Sequence, residues 1–389
     1  QWTDEQTGGH CADLAQHFTG SKRAWFTFTN GTHIDSLDPL TFDRWYDFLE
    51  LYVARRAPQL PASVRALAPA VFAEVMGIPG VTLPPDPIQA EPSYHAALAA
   101  FQRLPRIRIL LDNGAGSSVA GAPYPGFEHS FSRFPIPGTV ARSWYLNADG
   151  GLTAGLPARA GADRFTWSPG SRPATSFKGA DDGSPGGLWT TTPAYDWAQD
   201  PPATAASYVT APLRADTVVI GGGAVRVWIE ASAPSVDLQA TVSEVRPDGK
   251  ETFVQNGWVR ASERALAPQS TLLEPVLSLR RSQAAPLPRG RFTEVTIPLY
   301  FEGHAYRRGS RIRITISAPG GDQPVWAFSQ TSPRSPAQVR IAASRRLASR
   351  VILPVVPGVS VPTPLPPCPG LRGEPCRTYV PYRDRSVGL

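Results

Sequence analysis

The 389-residue sequence lacks several features that mark other protein classes. It has no apolar run long enough to cross a membrane, because prolines interrupt even its most apolar stretch, VILPVVPGVSVPTPLPP. Its only lysines are Lys22, Lys178 and Lys250, and its arginine pairs are scattered without interleaved aromatic residues, so we expect no nucleic-acid partner. His10, Cys11 and His17 are close in sequence, but no further ligand follows at a recognisable spacing. We therefore expect neither a metal nor a cofactor.

A nucleophilic serine motif is also missing. The G-x-S-x-G pattern, which holds a serine between a strand and a helix, does not occur, since GAGSS (114–118) and DGSPGG (182–187) have different spacings. The opening residues, QWTDEQTGGH, include no initiator methionine, basic region or apolar signal core. We expect that an upstream part of the protein precedes this sequence.

The sequence is rich in proline (42) and glycine (34), which predicts short strands and turns. We predict that residues 1–115 are the end of an α/β sheet. In them, a helix at CADLAQHF and a strand at AWFTFT precede a helix that Asp38 caps and Pro39 begins. Two further helices form a helical segment at 58–103, and RIRILL returns to strand. Residues 116–205 are predicted to be connecting β structure and loops.

The second half has regular alternation of apolar and polar residues. AVRVWIEAS (224–232) and RIRITIS (311–317) each place branched apolar side chains on one face, and RPDGK (246–250) has the composition of a tight turn. We predict a jelly-roll β-sandwich over 206–345 and an extended, Pro-rich tail over 346–389 that covers it. His304 is expected to be structural in a sandwich loop. Trp228 and Trp258 are expected to pack against other parts of the protein, although stacking on a carbohydrate is an alternative.

The cysteines indicate an exported protein. Cys368 and Cys376 are close together in the tail, and a disulfide between them suits an oxidising compartment, so we expect a secreted or cell-envelope location. Cys11 would then have either a partner elsewhere, such as an upstream segment, or a buried free thiol.

Asp4 and His33 are the candidate catalytic residues. If Trp2 ends a strand and AWFTFT is the next parallel strand, Asp4 and His33 follow neighbouring carboxyl ends and should meet. An aspartate there can fix the histidine tautomer and leave the other ring nitrogen as a general base. In α/β-hydrolases the nucleophile comes before the acid and the histidine, so we expect it before residue 1.

Four segments resemble the cocaine esterase and X-prolyl dipeptidyl-peptidase family of serine hydrolases: QWTDEQTGG, NGTH, SVDLQATVSEVRPDGKETFVQNGWVRAS and PLYFEGHAYRRGSRIRITIS. The resemblance covers most of 1–57 and 206–320. It implies an α/β-hydrolase domain with a helical cap and a C-terminal jelly roll, with Asp4 as the triad acid and His33 as the base. It also implies that a serine and oxyanion donors come from the upstream part. Two departures leave the substrate class open: the chain lacks a second acidic residue near Asp237, and its cysteine-containing tail is not a general family feature.

These patterns predict the C-terminal portion of a secreted serine hydrolase that cleaves a small ester or amide through an acyl-enzyme. Its partner would be the upstream segment or chain that carries the serine. One alternative is a non-catalytic jelly-roll module for binding or assembly that retains a hydrolase remnant. Another is an acylase-like two-chain enzyme acting on a peptide or an antibiotic.

Overall fold

The structure is a computed structural model that describes residues 1–168, 170–171, 179, 182–184, 186–320, 335–381 and 385–387. Within these ranges, no helix has the length and apolar character needed to span a bilayer. The α-helices are α1 Pro39–Leu49, α2 Ala62–Met76 and α3 Tyr94–Arg103. The strands are β1 Phe26–Thr29, β2 Ile107–Leu111, β3 Phe127–Phe131, β4 Val140–Leu146, β5 Gly151–Thr153, β6 Gly161–Trp167, β7 Ala205–Thr210, β8 Thr217–Ala231, β9 Asp237–Val245, β10 Lys250–Arg260, β11 Thr293–Tyr306, β12 Arg311–Ser317, β13 Ala337–Ala343, β14 Arg350–Val355, β15 Cys376–Thr378 and β16 Arg385–Val387.

The N-terminal part is a small sheet with a helical crossover. β1 pairs in parallel with β2, and β3 adds to β2 in the antiparallel direction. The connection from β1 to β2 runs through α1, α2 and α3, as a parallel pair requires. The predicted start of α1 is confirmed, because the Asp38 carboxylate accepts the backbone N–H of Thr41 at 2.7 Å and Pro39 occupies the first turn.

Trp2 differs from its prediction. It does not lie in a strand, and the segment after it, Gly8–His17, is a 3₁₀ helix. The backbone N–H of Trp2 donates to the carbonyl of Thr29 at 2.7 Å, and its ring stacks on Phe28. This one hydrogen bond is too little for a strand ladder, but it still fixes residue 2 beside the carboxyl end of β1.

The rest of the chain is mostly β structure, as predicted. Nine strands of the described residues close into a hydrogen-bonded ring in the order β8, β11, β10, β9, β12, β7, β5, β4, β14 and back to β8. β13, β6 and β16 continue outward from β8, and β15 pairs with β10. The β-branched residues of β8 and β12 fill the core between the strands, which explains their strict alternation in the sequence. β4, β5 and β6, which lie within residues 116–205, also belong to this sheet.

The outer face of the ring is also buried in places, although the alternating pattern puts polar side chains on that face. Arg313 on β12 is 1% exposed and pairs with Glu251 of β10 at 3.0 Å. Tyr379, which follows β15, lies over the Arg313 guanidinium at 5.4 Å. The tail therefore covers this face at Arg313, whose guanidinium pairs with an acid beneath it, whereas Arg311 at the start of the strand is exposed.

The tail crosses from the ring to the N-terminal part. The segment after β14 is held to the ring at Pro366, whose carbonyl accepts a hydrogen bond from the Arg246 guanidinium at 2.6 Å. The predicted Cys368–Cys376 disulfide is confirmed, with its Cα atoms 5.8 Å apart. Between the two cysteines, Arg372 reaches Asp35 in the N-terminal part. β15 then returns to the ring, so the disulfide-closed segment touches both parts.

Candidate active site

Asp4 and His33 are in direct contact. Oδ2 of Asp4 lies 2.9 Å from Nδ1 of His33, in a pair whose aspartate side chain is 4% exposed and whose histidine side chain is 32% exposed. Trp2, two residues before Asp4, lies beside the carboxyl end of β1, and His33 follows that same end. Asp4 and His33 therefore meet at one edge of the small sheet. Their catalytic roles stay a prediction.

A tight turn fixes the Asp4 carboxylate. Oδ1 accepts the backbone N–H groups of Gln6 at 2.7 Å and Thr7 at 3.1 Å, and Oδ2 accepts the Thr7 hydroxyl at 3.0 Å. Aspartate is favoured in such turns because its side chain can bond the backbone two residues ahead. These donors hold one carboxylate oxygen in the turn and aim the other at His33.

A second turn positions His33. His33 begins a short 3₁₀ helix, His33–Leu37, in which the Asp35 carboxylate accepts the backbone N–H of Thr32 at 2.9 Å. Glu5 Oε2 accepts the backbone N–H of His33, also at 2.9 Å. Burial raises the pKa of Glu5 to about 7, although hydrogen bonds from the backbone N–H groups of Glu5 and His33 oppose the rise. Glu5 thus links the Asp4 turn directly to the His33 turn.

The ring of His33 has one nitrogen engaged and one open. Because Nδ1 faces a carboxylate, we assign the ring proton to Nδ1, which leaves the lone pair on Nε2. Within the part of the chain that the structure describes, Nε2 makes no hydrogen bond. Trp189 lies beside the ring with its centroid 5.5 Å away, and the carbonyl of Leu188 accepts a hydrogen bond from Gln6. Of the two ring nitrogens, Nε2 is therefore the one left without a hydrogen bond to the described residues.

The residues considered for a metal do not form a site. His17 pairs with Asp13 on the exposed 3₁₀ helix, His10 packs against Tyr300, and Cys11 is an exposed free thiol. No group of three or more histidine, cysteine, aspartate or glutamate side chains in the described ranges could hold a metal ion.

His304 corrects an expectation about its place. It lies inside β11 and is buried, between Glu244 at 2.9 Å from Nε2 and Glu374 at 3.4 Å from Nδ1. Burial opposes its charged form, but Glu374 and Glu244 outweigh burial and raise the pKa of His304 to about 10. Because glycine is uncommon inside strands, the neighbouring Gly303 made this position resemble a loop in the sequence.

Asp237 and the two tryptophans have structural partners. The Asp237 carboxylate pairs with Arg260 on the adjacent strand at 2.7 and 3.0 Å. Trp258 donates from Nε1 to Gln239 at 2.8 Å and packs edge-on against Tyr300. Trp228 is half-buried on β8, where its backbone N–H donates to the Ser349 hydroxyl.

Three residues of the site were missed in the sequence: Glu5, Asp35 and Arg372. Glu5 and Asp35 flank the two candidate catalytic residues, so carboxylates at these positions were a usable signal. Arg372 lies more than 300 residues from both and carries no periodic signal, so only the folded chain reveals it.

Sequence comparison assigns most of the chain to a known C-terminal domain family. Residues 99–339 match the X-Pro dipeptidyl-peptidase C-terminal non-catalytic domain. The chain belongs to this family, which confirms the resemblance found in the sequence.

Relatives and structural neighbours agree with this assignment. Two proteins named as serine esterases, from Mycobacterium bovis and Mycobacterium tuberculosis, are each 27% identical over 254 residues, or 63% of this chain. A hydrolase of the CocE/NonD family from Staphylococcus aureus has a similar fold, with a TM-score of 0.60 and 14% identity over 91% of this chain and 53% of its own. An aminopeptidase from a marine sediment archaeon, Thaumarchaeota archaeon, has a TM-score of 0.51 and 16% identity over 88% of this chain and 50% of its own.

The chain is shorter than these proteins. It matches 38% of the length of each serine esterase and about half of each solved structure. Asp4 and His33 precede the region that matches the non-catalytic domain.

Proposed function

We propose that this chain supplies the acid and the base of a serine hydrolase, with Asp4 orienting His33 and with the nucleophilic serine contributed by a segment that precedes Gln1. The substrate would be an ester or amide, cleaved through an acyl-enzyme. The observation that carries the proposal is the hydrogen-bonded Asp4–His33 pair with Nε2 of His33 open. The proposal includes an α/β-hydrolase sheet of which residues 1–115 form the end, and a jelly-roll connection order for the β ring.

The reaction follows from the two ring nitrogens. Nε2 of His33 takes the proton of the serine hydroxyl as the oxygen attacks the carbonyl carbon, and Asp4 stabilises the imidazolium that forms. His33 then gives this proton to the leaving alcohol or amine as the bond to carbon breaks. Water, deprotonated by the same nitrogen, hydrolyses the acyl-enzyme and returns the serine to its starting state.

Three further observations bear on this proposal. The mycobacterial relatives are named as serine esterases, which favours an ester over an amide. The candidate pair also lies outside the region that matches a non-catalytic domain, so a catalytic role for Asp4 and His33 agrees with that description. The disulfide between Cys368 and Cys376 favours an oxidising location outside the cytoplasm.

A second candidate is a non-catalytic module for binding or assembly. It is favoured by the extent of the match, because residues 99–339 are more than half of the chain and the matched domain is described as non-catalytic. In this case the Asp4–His33 pair would be a structural remnant.

Fluorophosphonate labelling of the natural protein, followed by denaturing mass spectrometry, separates the two candidates. We expect one labelled serine on a segment upstream of Gln1 or on a companion chain, and loss of labelling in His33→Ala. His17→Ala is the matched control, because His17 also pairs with an aspartate but lies on the exposed 3₁₀ helix. Failure of every serine to label, or full labelling of His33→Ala, would overturn the hydrolase proposal and favour the module.

A further inference from the structure

The segment closed by the Cys368–Cys376 disulfide, here called the tail loop, enters the N-terminal part next to both candidate catalytic residues. Gly373 has a φ of +69°, and a Cβ there would overlap the Thr3 hydroxyl and the carbonyl oxygen of Gly31. Thr3 precedes Asp4, and Gly31 lies two residues before His33. The tail loop thus fits between the two turns that carry the pair, at a contact that only a glycine permits.

Arg372 makes the main polar contact of the tail loop. Its Nε donates to both carboxylate oxygens of Asp35 at 2.7 Å, and Nη2 lies 2.6 Å from Oδ1. Both side chains are buried. A forked contact of this kind fixes orientation as well as position, which a single point charge does not.

Asp35 transmits this contact to His33. The Asp35 carboxylate that receives Arg372 also accepts the backbone N–H of Thr32, the residue before His33. Nη2 of Arg372 lies within 3.4 Å of the Thr32 hydroxyl as well. The turn that presents His33 is therefore closed by a carboxylate whose geometry depends on the tail loop.

The backbone of Arg372 extends the same connection. Its N–H donates to the carbonyl of Asn113 at 2.9 Å, and its carbonyl accepts from the Asn30 side chain at 2.9 Å. Asn30 follows the end of β1, and Asn113 follows the end of β2. Arg372 thus joins the ends of both parallel strands to the His33 turn.

The β ring anchors the tail loop from the other side. β15 begins at Cys376 and pairs with β10, and Glu374 contacts His304 of β11. Before the loop, Arg246 holds the carbonyl of Pro366. The disulfide joins these two anchored ends, so it limits the movement of Arg372 relative to the ring.

We propose that the tail loop is a positioning element for His33. Arg372, acting through Asp35, holds the turn that presents His33 to Asp4, and the Cys368–Cys376 disulfide keeps Arg372 in register, so that reduction of the disulfide slows the reaction. This inference rests on the proposed function. Reduction by a dithiol breaks the S–S bond and leaves two thiols, while the dithiol gives up two electrons and two protons and becomes a disulfide itself.

The first experiment compares Arg372→Gln with Arg377→Gln in the natural protein, using hydrolysis of a p-nitrophenyl ester. Arg377 is the matched control, because it also pairs from the tail with a buried carboxylate, that of Glu251, but does not touch residues 30–35. We expect Arg372→Gln to lower kcat roughly 10- to 100-fold with little change in KM, since a misplaced catalytic group loses rate more than binding. Arg377→Gln should keep most of its kcat, and Arg372→Lys should recover only part of the loss.

A second measurement separates positioning from a general loss of stability. The Nδ1 proton that His33 donates to Asp4 is expected to give a downfield NMR resonance, which should weaken or broaden in Arg372→Gln and persist in Arg377→Gln. If Arg372→Gln lowers thermal stability but leaves kcat and this resonance unchanged, or if both variants lose kcat equally, the positioning role is wrong.

The disulfide is tested in the same assay. Dithiol treatment should lower kcat, reoxidation should restore it, and the double variant Cys368→Ser/Cys376→Ser should be slow with or without the dithiol. Cys11→Ser controls for the free thiol and should respond like the wild type. An unchanged kcat after complete reduction would overturn this part. If His33→Ala still abolishes labelling in the same preparation, only the tail-loop inference fails and the proposed function stands.

Discussion

Oδ1 of Asp4 accepts two backbone N–H groups of its own turn, whereas Oδ2, 2.9 Å from Nδ1, faces His33. This division predicts the effect of Asp4→Asn. The amide oxygen would take the place of Oδ1, because only an oxygen can accept the two N–H groups, and the amide nitrogen would face His33. An N–H donated to Nδ1 forces the ring proton onto Nε2, which then cannot act as a base.

We therefore expect Asp4→Asn to fold normally and to lower kcat by about 10⁴-fold, as the same change does in a serine-protease triad. Esterase assays with the natural protein measure the rate, and urea denaturation measures the stability. Asp13→Asn is the control, since Asp13 also pairs with a histidine but on the exposed 3₁₀ helix. A kcat near that of the wild type would contradict the assignment of Asp4 as the triad acid.

The contact between Asp4 and His33 could be predicted from sequence, although the local structure at Trp2 could not. The prediction required only that residue 2 and the end of AWFTFT lie side by side, and one hydrogen bond from Trp2 to Thr29 is sufficient for that. Over only two residues, the sequence of a strand cannot be distinguished from that of a short segment that is hydrogen-bonded to the end of a strand.

The support for His33 from Arg372 could not be predicted. Arg372 lies among prolines and glycines with no alternation, and its partner Asp35 is 337 positions away. Likewise, the burial of Arg313 and His304 depends on the tail that covers the ring, and strand periodicity reports only which face a side chain is on. Patterns along one segment do not encode which distant segment covers it.

Glu5→Gln tests the link between the two turns. Burial raises the pKa of Glu5 from 4.5 to about 7 in the folded protein, so the folded state binds more protons than the unfolded state between these values. The wild type should therefore lose stability as the pH rises from about 4.5 to 7, by at most about 3 kcal/mol. Glutamine can still accept the N–H of His33 but does not ionise, so Glu5→Gln should be more stable than the wild type at pH 8 and similar to it near pH 4.5.

Urea denaturation across this pH range measures the difference. The control is Glu74→Gln, because Glu74 is exposed on α2 and its replacement should shift stability little at any pH. Equal pH dependence in Glu5→Gln and the wild type would show that Glu5 is not the group responsible.

His304→Gln tests the buried charge cluster where the tail meets the ring. The folded pKa of His304 is raised from 6.5 to about 10 by Glu374 and Glu244 against the effect of burial. Its stabilising contribution is thus complete below pH 6.5 and is lost as the pH rises towards 10. Glutamine would leave the two carboxylates buried without a cation, so we expect a loss of roughly 3–5 kcal/mol at pH 6.

The difference in the free energy of unfolding between His304→Gln and the wild type should narrow as the pH rises. Denaturation at pH 6, 8 and 10 measures this difference. Glu302 faces the same cluster, and burial raises its pKa from 4.5 to about 8, so its ionisation should lower wild-type stability between about pH 4.5 and 8. His95→Gln is the control, since His95 is exposed on α3. If the difference in the free energy of unfolding stays constant from pH 6 to 10, His304 is not charged in the folded protein.

Gly373→Ala tests the fit of the tail loop between the Asp4 turn and the His33 turn. The positive φ of Gly373 opposes any side chain, and its Cβ would also overlap Thr3 and Gly31. Gly358→Ala is a matched control, because Gly358 has a similar φ of +80° but a Cβ added there would have no atom within 4 Å, so that variant carries the backbone strain alone. We expect Gly358→Ala to lose about 1–2 kcal/mol and to keep its kcat.

Gly373→Ala should lose roughly a further 1–3 kcal/mol from overpacking. It should also lower kcat, because the loop can relieve the overlap only by moving Arg372 or by pushing the Thr3 and Gly31 turns apart. Thermal denaturation and esterase assays on both variants separate the two effects. If Gly373→Ala and Gly358→Ala lose the same stability and keep the same kcat, the tail loop does not press on the Asp4 and His33 turns, and the disulfide would act only on the stability of the tail.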